Sequence, residues 1–222
     1  MGFNRYGGRL SGYYPWTRIV YNPMSHRKQY IVNGVTYPSV TEVLGDQPKP
    51  WLDKWRQKWG KRAEQKTIAA VNIGIAFHKL AESRALCEPI ELPSNFRLLH
   101  MLVNFDKWLK KTQFLARETE LHVASDLYKY HGTFDAVGYM NKGIVICDWK
   151  TSSGIYPDMK LQLAAYAQAY FEQTNVKITR GIIVQVSKDK PYHRITVAEY
   201  KLGKQVLNKF LKRLNEYNAR RA

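Results

Sequence analysis

The sequence predicts an α/β or α+β fold, a sheet with helices packed on it, preceded by a helical lobe. Three observations lead there. Apolar residues recur at helical spacing over much of residues 36–116. From residue 117 onward, short runs rich in Val, Ile, Thr, Tyr and Phe take over and give the order β-β-β-α-β-β-α. At 222 residues and 45% apolar, the chain can bury one sizeable core. No internal repeat or low-complexity linker divides it.

Residues 1–28 read as an irregular basic and aromatic arm. "QYIVNGVTYP" reads as a short hairpin on an Asn33-Gly34 turn, the dipeptide that best tolerates positive φ at both central positions. Arm and hairpin are expected to occupy residues 1–35, and the main domain 36–222. Within that domain a helical part spans 36–116, a sheet core 117–200 and a C-terminal helix 201–222.

Ser39 and Glu42 have the spacing of a capping box, so a short helix begins there. Residues 50–86 are mostly helical. Trp51, Trp55 and Trp59 share one face, which reads as a packed seam before it reads as a platform for stacked bases. Residues 94–115 form an amphipathic helix whose apolar stripe is expected at Phe96, Leu99, Val103, Phe105 and Leu109. "DMKLQLAAYAQAYFEQ" is a helix, "RGIIVQVS" and "HRITVAEY" are strands, and a basic helix over about 203–218 follows.

The net charge is +17, with a pI near 9.8. A surface this basic attracts polyanions, meaning nucleic acid or an anionic membrane face. Residues 1–80 carry 13 basic and 4 acidic side chains, residues 201–222 carry 7 and 1, and the stretch between is close to neutral. The two ends therefore supply the positive field, and the middle supplies most of the carboxylates.

Cys87 and Cys147 stand sixty residues apart with no Cys/His cluster. That excludes a Cys-ligated structural zinc or an iron–sulfur cluster and fits a reducing compartment. No stretch approaches the ~18 apolar residues of a membrane span, and no signal or transit peptide is expected. The expected location is intracellular, in the cytoplasm or a host cell's cytoplasm, with no membrane partner.

The chemistry concentrates in "GIVICDWKTS", residues 143–152. An apolar run makes a buried strand that ends in a carboxylate and an amine. Residues i and i+2 of a strand share a face, so Asp148 and Lys150 stand together and Trp149 turns to the other side as packing. "GTFD" precedes it, and a two-residue loop at Asn141-Lys142 would set Asp135 opposite Asp148. Two adjacent carboxylates raise each other's pKa, and a divalent cation removes that penalty. Oxygen ligands suit Mg²⁺ or Mn²⁺, and the lysine is placed to meet developing negative charge, equipment for metal-assisted phosphodiester hydrolysis. A bare D-x-K is most often a surface ion pair, and "DMK" at 158–160, at a helix start, is such a case. The company of "DWK" separates it. Gln162 and Tyr166 share a face of the next helix, and "GIAFH" puts Gly74 and His78 on one face upstream.

The series S-x-T, G-x-x-x-H, a Glu, G-x-x-D, D-x-K and Q-x-x-x-Y resembles the RecB-like branch of the PD-(D/E)xK nuclease superfamily, of the mitochondrial genome maintenance exonuclease type. The likeness runs from about residue 36 to 218. It implies an α/β, restriction-endonuclease-like PD-(D/E)xK core, a mixed central sheet flanked by helices, with an N-terminal helical lobe. It further implies that Asp135 and Asp148 hold the metal together with the Trp149 backbone carbonyl, that Lys150 is the catalytic lysine, and that His78 is a further catalytic and metal-site residue. Glu120, in competition with Glu118, would be the acid before G-x-x-D. Gln162, Tyr166, Ser39 and Thr41 would support the site or touch the substrate. One departure is Ile73, where the family often has Arg.

The expectation is a Mg²⁺- or Mn²⁺-dependent DNA exonuclease acting on single-stranded ends in replication, repair or recombination. A polymerase, helicase or recombinase is left open as a partner. The alternatives are a structure-selective endonuclease on the same site, a nuclease directed at RNA, and a non-catalytic nucleic-acid-binding module.

Overall fold

The computed structural model describes residues 17–22, 27–141, 143–188 and 195–221. It is a mixed α/β structure. Helices α1 (Val40–Gly45), α2 (Pro50–Trp59), α3 (Arg62–Ala85) and α4 (Phe96–Thr112) come first. Strands β4 (Leu115–Ser125), β5 (Tyr130–Met140) and β6 (Gly143–Lys150) follow, then α5 (Pro157–Thr174), β7 (Arg180–Val186), β8 (Ile195–Lys201) and α6 (Lys204–Ala219). Ahead of them all, β1 (Thr17–Asn22), β2 (Arg27–Val32) and β3 (Val35–Tyr37) form a small antiparallel sheet.

The main sheet has the order β4-β5-β6-β7-β8. Only β6 and β7 are parallel, because α5 carries the chain back between them. Helices cover both faces. On one, α1, α5 and α6 pack Val43, Leu163, Tyr170 and Phe210 against Phe134, Ile146 and Ile183. On the other, α3 and α4 pack Phe77, Met101, Phe105 and Trp108 against Val145, Cys147, Trp149 and Val184.

Several local expectations hold. Ser39 caps α1 with both hydrogen bonds of a capping box. Asn33 and Gly34 adopt positive φ, as the hairpin turn requires. Others are corrected. Residues 17–22, read as irregular arm, are strand β1, paired with β2 because β2 is otherwise an open edge; residues 1–16 and 23–26 of the arm lie outside the described residues. The helix at 96–112 is present, but its buried face is Leu98, Met101, Leu102, Phe105 and Trp108, while Phe96 and Val103 are exposed. Trp55 and Trp59 are half-buried, belong to no described core cluster, and Lys66 Nζ lies 3.9 Å from the Trp59 ring centre. The Trp51 side chain is outside the described set. No described helix is long and apolar enough to cross a membrane.

The small sheet is held to the large one by rings. Tyr30 stacks on His131 at 4.9 Å and tilts against His122 at 4.8 Å. Burial, with His122 beside it, pushes the His131 imidazole down to about 4. Its unfolded value is near 6.5, so the neutral form is the one the fold accepts. The stability it contributes is complete above pH ~6.5 and is lost as pH falls from there toward ~4. Thermal unfolding of wild type and His131→Phe between pH 7 and 5 checks this. The wild type should lose Tm relative to the variant as pH falls; parallel curves would mean His131 is not the titrating group.

Candidate active site

The site grows from the ends of β5 and β6. Their ladder starts at Met140↔Gly143, leaving two residues between, and runs to Ala136↔Cys147. The even register expected from the sequence is present, but the pairing stops one step short of Asp135 and Asp148. Asp135 has left the ladder. Its Oδ2 accepts the backbone N–H of Trp149, taking the place of a strand carbonyl. The Trp149 ring is buried on the far face, packed edge-on by Phe105, Trp108 and Phe114. That anchorage fixes the backbone on which Asp148 and Lys150 stand. Those two side chains form an ion pair on the opposite face.

The alternation of faces breaks in two neighbouring strands at one level. In β5, Phe134 lies in the α5-side core, Ala136 in the α3-side core and Val137 in the α5-side core again. In β4, Glu118 accepts from the Tyr170 hydroxyl of α5 at 3.1 Å, Thr119 donates to Glu82 of α3 at 3.1 Å, and Leu121 packs on the α5 side. The two breaks meet. Glu120 falls between the pairs Thr119↔Ala136 and Leu121↔Phe134, level with Asp135, and its φ is +48°. Glu120, rather than Glu118, is thereby brought to His78 and Asp135.

His78 comes from α3, with Nδ1 3.1 Å from Asp135 Oδ1. Ligand-type atoms of His78, Glu120 and Asp135 all lie within 4.8 Å of one another. They line a cleft of about 510 Å³ together with Gly74, Ile75, Lys79 and Glu82. One imidazole nitrogen and two carboxylate oxygens are donor types that can hold a divalent cation. No thiolate is among these atoms; Cys147 is fully buried within the α3-side core.

The charges explain each other. Asp148 is 3% exposed, and burial pushes its carboxyl up to about 6, with Asp135 adding to the rise and Lys150 opposing it. Burial works against the charged form of Lys150, but Asp148 and Asp135 outweigh it and raise its pKa, so it stays an ammonium. The same contest raises His78, where Asp135 and Asp148 overcome burial. Glu120 is raised by burial and then by the charges of Asp135 and Glu82. These carboxylates crowd one another, and a bound cation would relieve them.

Two glycines set the approach distances. A Cβ on Gly74 would stand 3.2 Å from the Thr151 hydroxyl, so the missing side chain lets α3 reach the end of β6. A Cβ on Gly132 would meet Tyr166 Cε1 at 2.4 Å. Tyr166 and Gln162 are buried and joined by a 2.9 Å hydrogen bond, so as they stand they back the site rather than line it. Ser39 and Thr41 line a different cleft of about 570 Å³, beside Asp46, Tyr217 and Arg221. The Ser39 hydroxyl is engaged in capping α1. Ile73 packs against the α3-side core. Sequence reasoning passed over Gln185, whose amide donates to the Ser152 carbonyl at 2.7 Å and holds the loop after Lys150. Its signal was a polar residue inside the apolar run "GIIVQV". Glu82 was also missed; it stands four residues after His78, on the same helix face.

No protein-family model matches the chain. Mitochondrial genome maintenance exonuclease 1 of Xenopus tropicalis is 26% identical over 219 residues, 87% of this chain. The chain spans 60% of that relative's length. The crystal structure of SSO0001 is similar with a TM-score of 0.44 at 18% identity, covering 83% of this chain and 75% of the other.

The Gly132 contact gives a direct test. Gly132→Ala should drive a methyl into the Tyr166 ring and cost about 1–3 kcal/mol, the range for overpacking a core. Urea unfolding measures it, and Gly132→Ala with Tyr166→Leu should recover part of the loss.

Proposed function

We propose that this chain is a divalent-metal-dependent nuclease with a PD-(D/E)xK core of the RecB-like branch, hydrolysing DNA phosphodiester bonds from single-stranded ends. The carrying observation is the cleft in which His78, Glu120 and Asp135 converge beside the buried Asp148–Lys150 pair. The likeness to an exonuclease supports the reaction class, and the +17 charge supports a polyanionic substrate. The role proposed with it is in replication, repair or recombination.

Asp135, Asp148, His78, Glu120 and the Trp149 carbonyl are the groups that would hold Mg²⁺ or Mn²⁺. The ion supplies Lewis-acid stabilisation of the phosphate and lowers the pKa of bound water. The chain's own part is electrostatic placement. Lys150, kept an ammonium by its two carboxylate neighbours, is a cation aimed at the scissile phosphate and a donor to the attacking water; it is not a free amine acting as base. Asp135, fixed by the Trp149 N–H and His78, keeps the imidazole and the strand end in one geometry. Water's oxygen bonds to phosphorus as the bond to the leaving sugar oxygen breaks, and that oxygen takes up a proton.

The single-strand preference has support of its own. Along α3, Ile68, Val71 and Ile75 share a face and are 53%, 51% and 66% exposed. Ile75 lines the cleft, and Lys79, four residues on along the same helix face, lines it too. An aliphatic strip that ends at a lysine fits unpaired bases with a phosphate neutralised at the cleft, whereas a duplex hides its apolar faces.

Two experiments follow. With Mn²⁺ or Mg²⁺, labelled linear single strands should be degraded and circular single strands spared; EDTA should stop the reaction. Lys150→Ala should slow cleavage by on the order of 10²–10³, the cost of losing one preorganised charge stabiliser, while binding in a mobility-shift assay persists. Cutting of the circle would favour the endonuclease reading on the same site. Binding without cleavage of either would make the chain a nucleic-acid-binding module. Separately, replacing Ile68, Val71 and Ile75 together by Ser should weaken single-strand binding by at least tenfold and narrow the preference over blunt duplex. Unchanged affinity for both would remove the strip from the substrate path.

A further inference from the structure

The cleft contains an acid that the proposed reaction does not use. Glu82 lines it, one turn beyond His78 on α3. It is not one of the three residues whose ligand atoms gather within 4.8 Å. Its Oε1 instead accepts the Thr119 hydroxyl at 3.1 Å.

Thr119 immediately precedes the residue where β4 changes faces. Glu120 has φ +48°, a conformation that Asn or Gly adopts readily and that a longer side chain holds only when its surroundings impose it. The strand register has already slipped between Ala116 and Glu118. In an unbroken strand Thr119 and Leu121 would point the same way. Here Thr119 reaches α3 while Leu121 packs on the α5 side, so the turn at Glu120 is pinned from both flanks. Relaxing it would carry the Glu120 carboxylate away from His78 and Asp135.

We propose that Glu82 is a positioning residue that, by holding the Thr119 hydroxyl, keeps Glu120 in its left-handed turn and its carboxylate in the cation-binding group. This rests on reading the cleft as a divalent-cation site. The tether also joins α3, which carries His78, to the strand that carries Glu120, so one hydrogen bond sets the spacing between two of the three ligands.

The test is calorimetric titration of the full chain with Mn²⁺ alone, without nucleic acid. Thr119→Val removes the hydroxyl at nearly constant shape. Glu82→Ala removes the acceptor, and Glu82→Gln keeps one. Thr119→Val and Glu82→Ala should each weaken Mn²⁺ binding by about tenfold, the low end for loss of an outer-shell partner. Glu82→Gln should stay within about threefold, and the double variant Thr119→Val/Glu82→Ala should be no worse than either single change. Urea unfolding of the metal-free variants provides the control, because a merely structural contact would alter stability and leave Mn²⁺ affinity unmoved.

Wild-type affinity in Thr119→Val, with loss in both Glu82→Ala and Glu82→Gln, would overturn the proposal in favour of Glu82 acting on the ion by its charge. Wild-type affinity in all variants would also overturn it, leaving the nuclease reading intact. If the wild type itself binds no Mn²⁺, the cation site falls and the tether's role falls with it.

Discussion

Asp148 is a carboxylate almost out of reach of water, and much of the chain is arranged around that position. Removing an ionised group from water costs several kcal/mol unless partners replace the solvent. Lys150 supplies one partner, two residues along the same strand. The Asp135 charge makes matters worse, and it is tolerated because Asp135 is itself tied down by the Trp149 N–H and His78. The aromatic packing of Trp149 then has a purpose beyond burial. It anchors a strand end that would otherwise relax to expose its charge.

The second organising feature is the change of faces in β4 and β5. A regular sheet presents every other residue to one layer. A cluster drawing on α3, β4, β5 and β6 needs groups from both layers at one point. The strands provide this by breaking alternation together at Glu120 and Asp135. Gly74 and Gly132 serve the same convergence: the first lets α3 come close to Thr151 after β6, and the second leaves room on β5 for the Tyr166 ring of α5.

What the sequence revealed and what it hid divide along physical lines. Patterns that depend on near neighbours were legible: the capping box at Ser39, the Asn33-Gly34 turn, and the shared face of Asp148 and Lys150. So was a sheet with helices packed on it, because apolar spacing reports the elements; that the sheet is mixed came only with the family resemblance. The choice between Glu118 and Glu120 was hidden, because it turns on one backbone angle in mid-strand. Glu82 was hidden for a related reason, as its partner lies 37 residues away. The buried face of α4 was misread because its stripe contains more apolar residues than the core needs, and Phe96 and Val103 were taken for buried ones. Ser39 and Thr41 were legible as a motif, yet the structure sets them in a separate cleft, where Ser39 already has local partners.

One contact far from the cleft bears on how the molecule comes into being. Asp46, just after α1, is gripped by Arg220 and Arg221 beyond α6, across 174 and 175 positions of sequence. Val40, Val43 and Leu44 of α1 share a core with Val206, Phe210 and Leu214 of α6. Helix α1 therefore waits for α6. During synthesis this half of the core stays open until α6 has emerged from the ribosome, and its apolar lining is exposed while the intervening chain is made. Contacts so remote in sequence close slowly. The interval before closure, more than any weakness of the finished fold, is when a nascent chain of this kind is most vulnerable to aggregation or to capture by a chaperone.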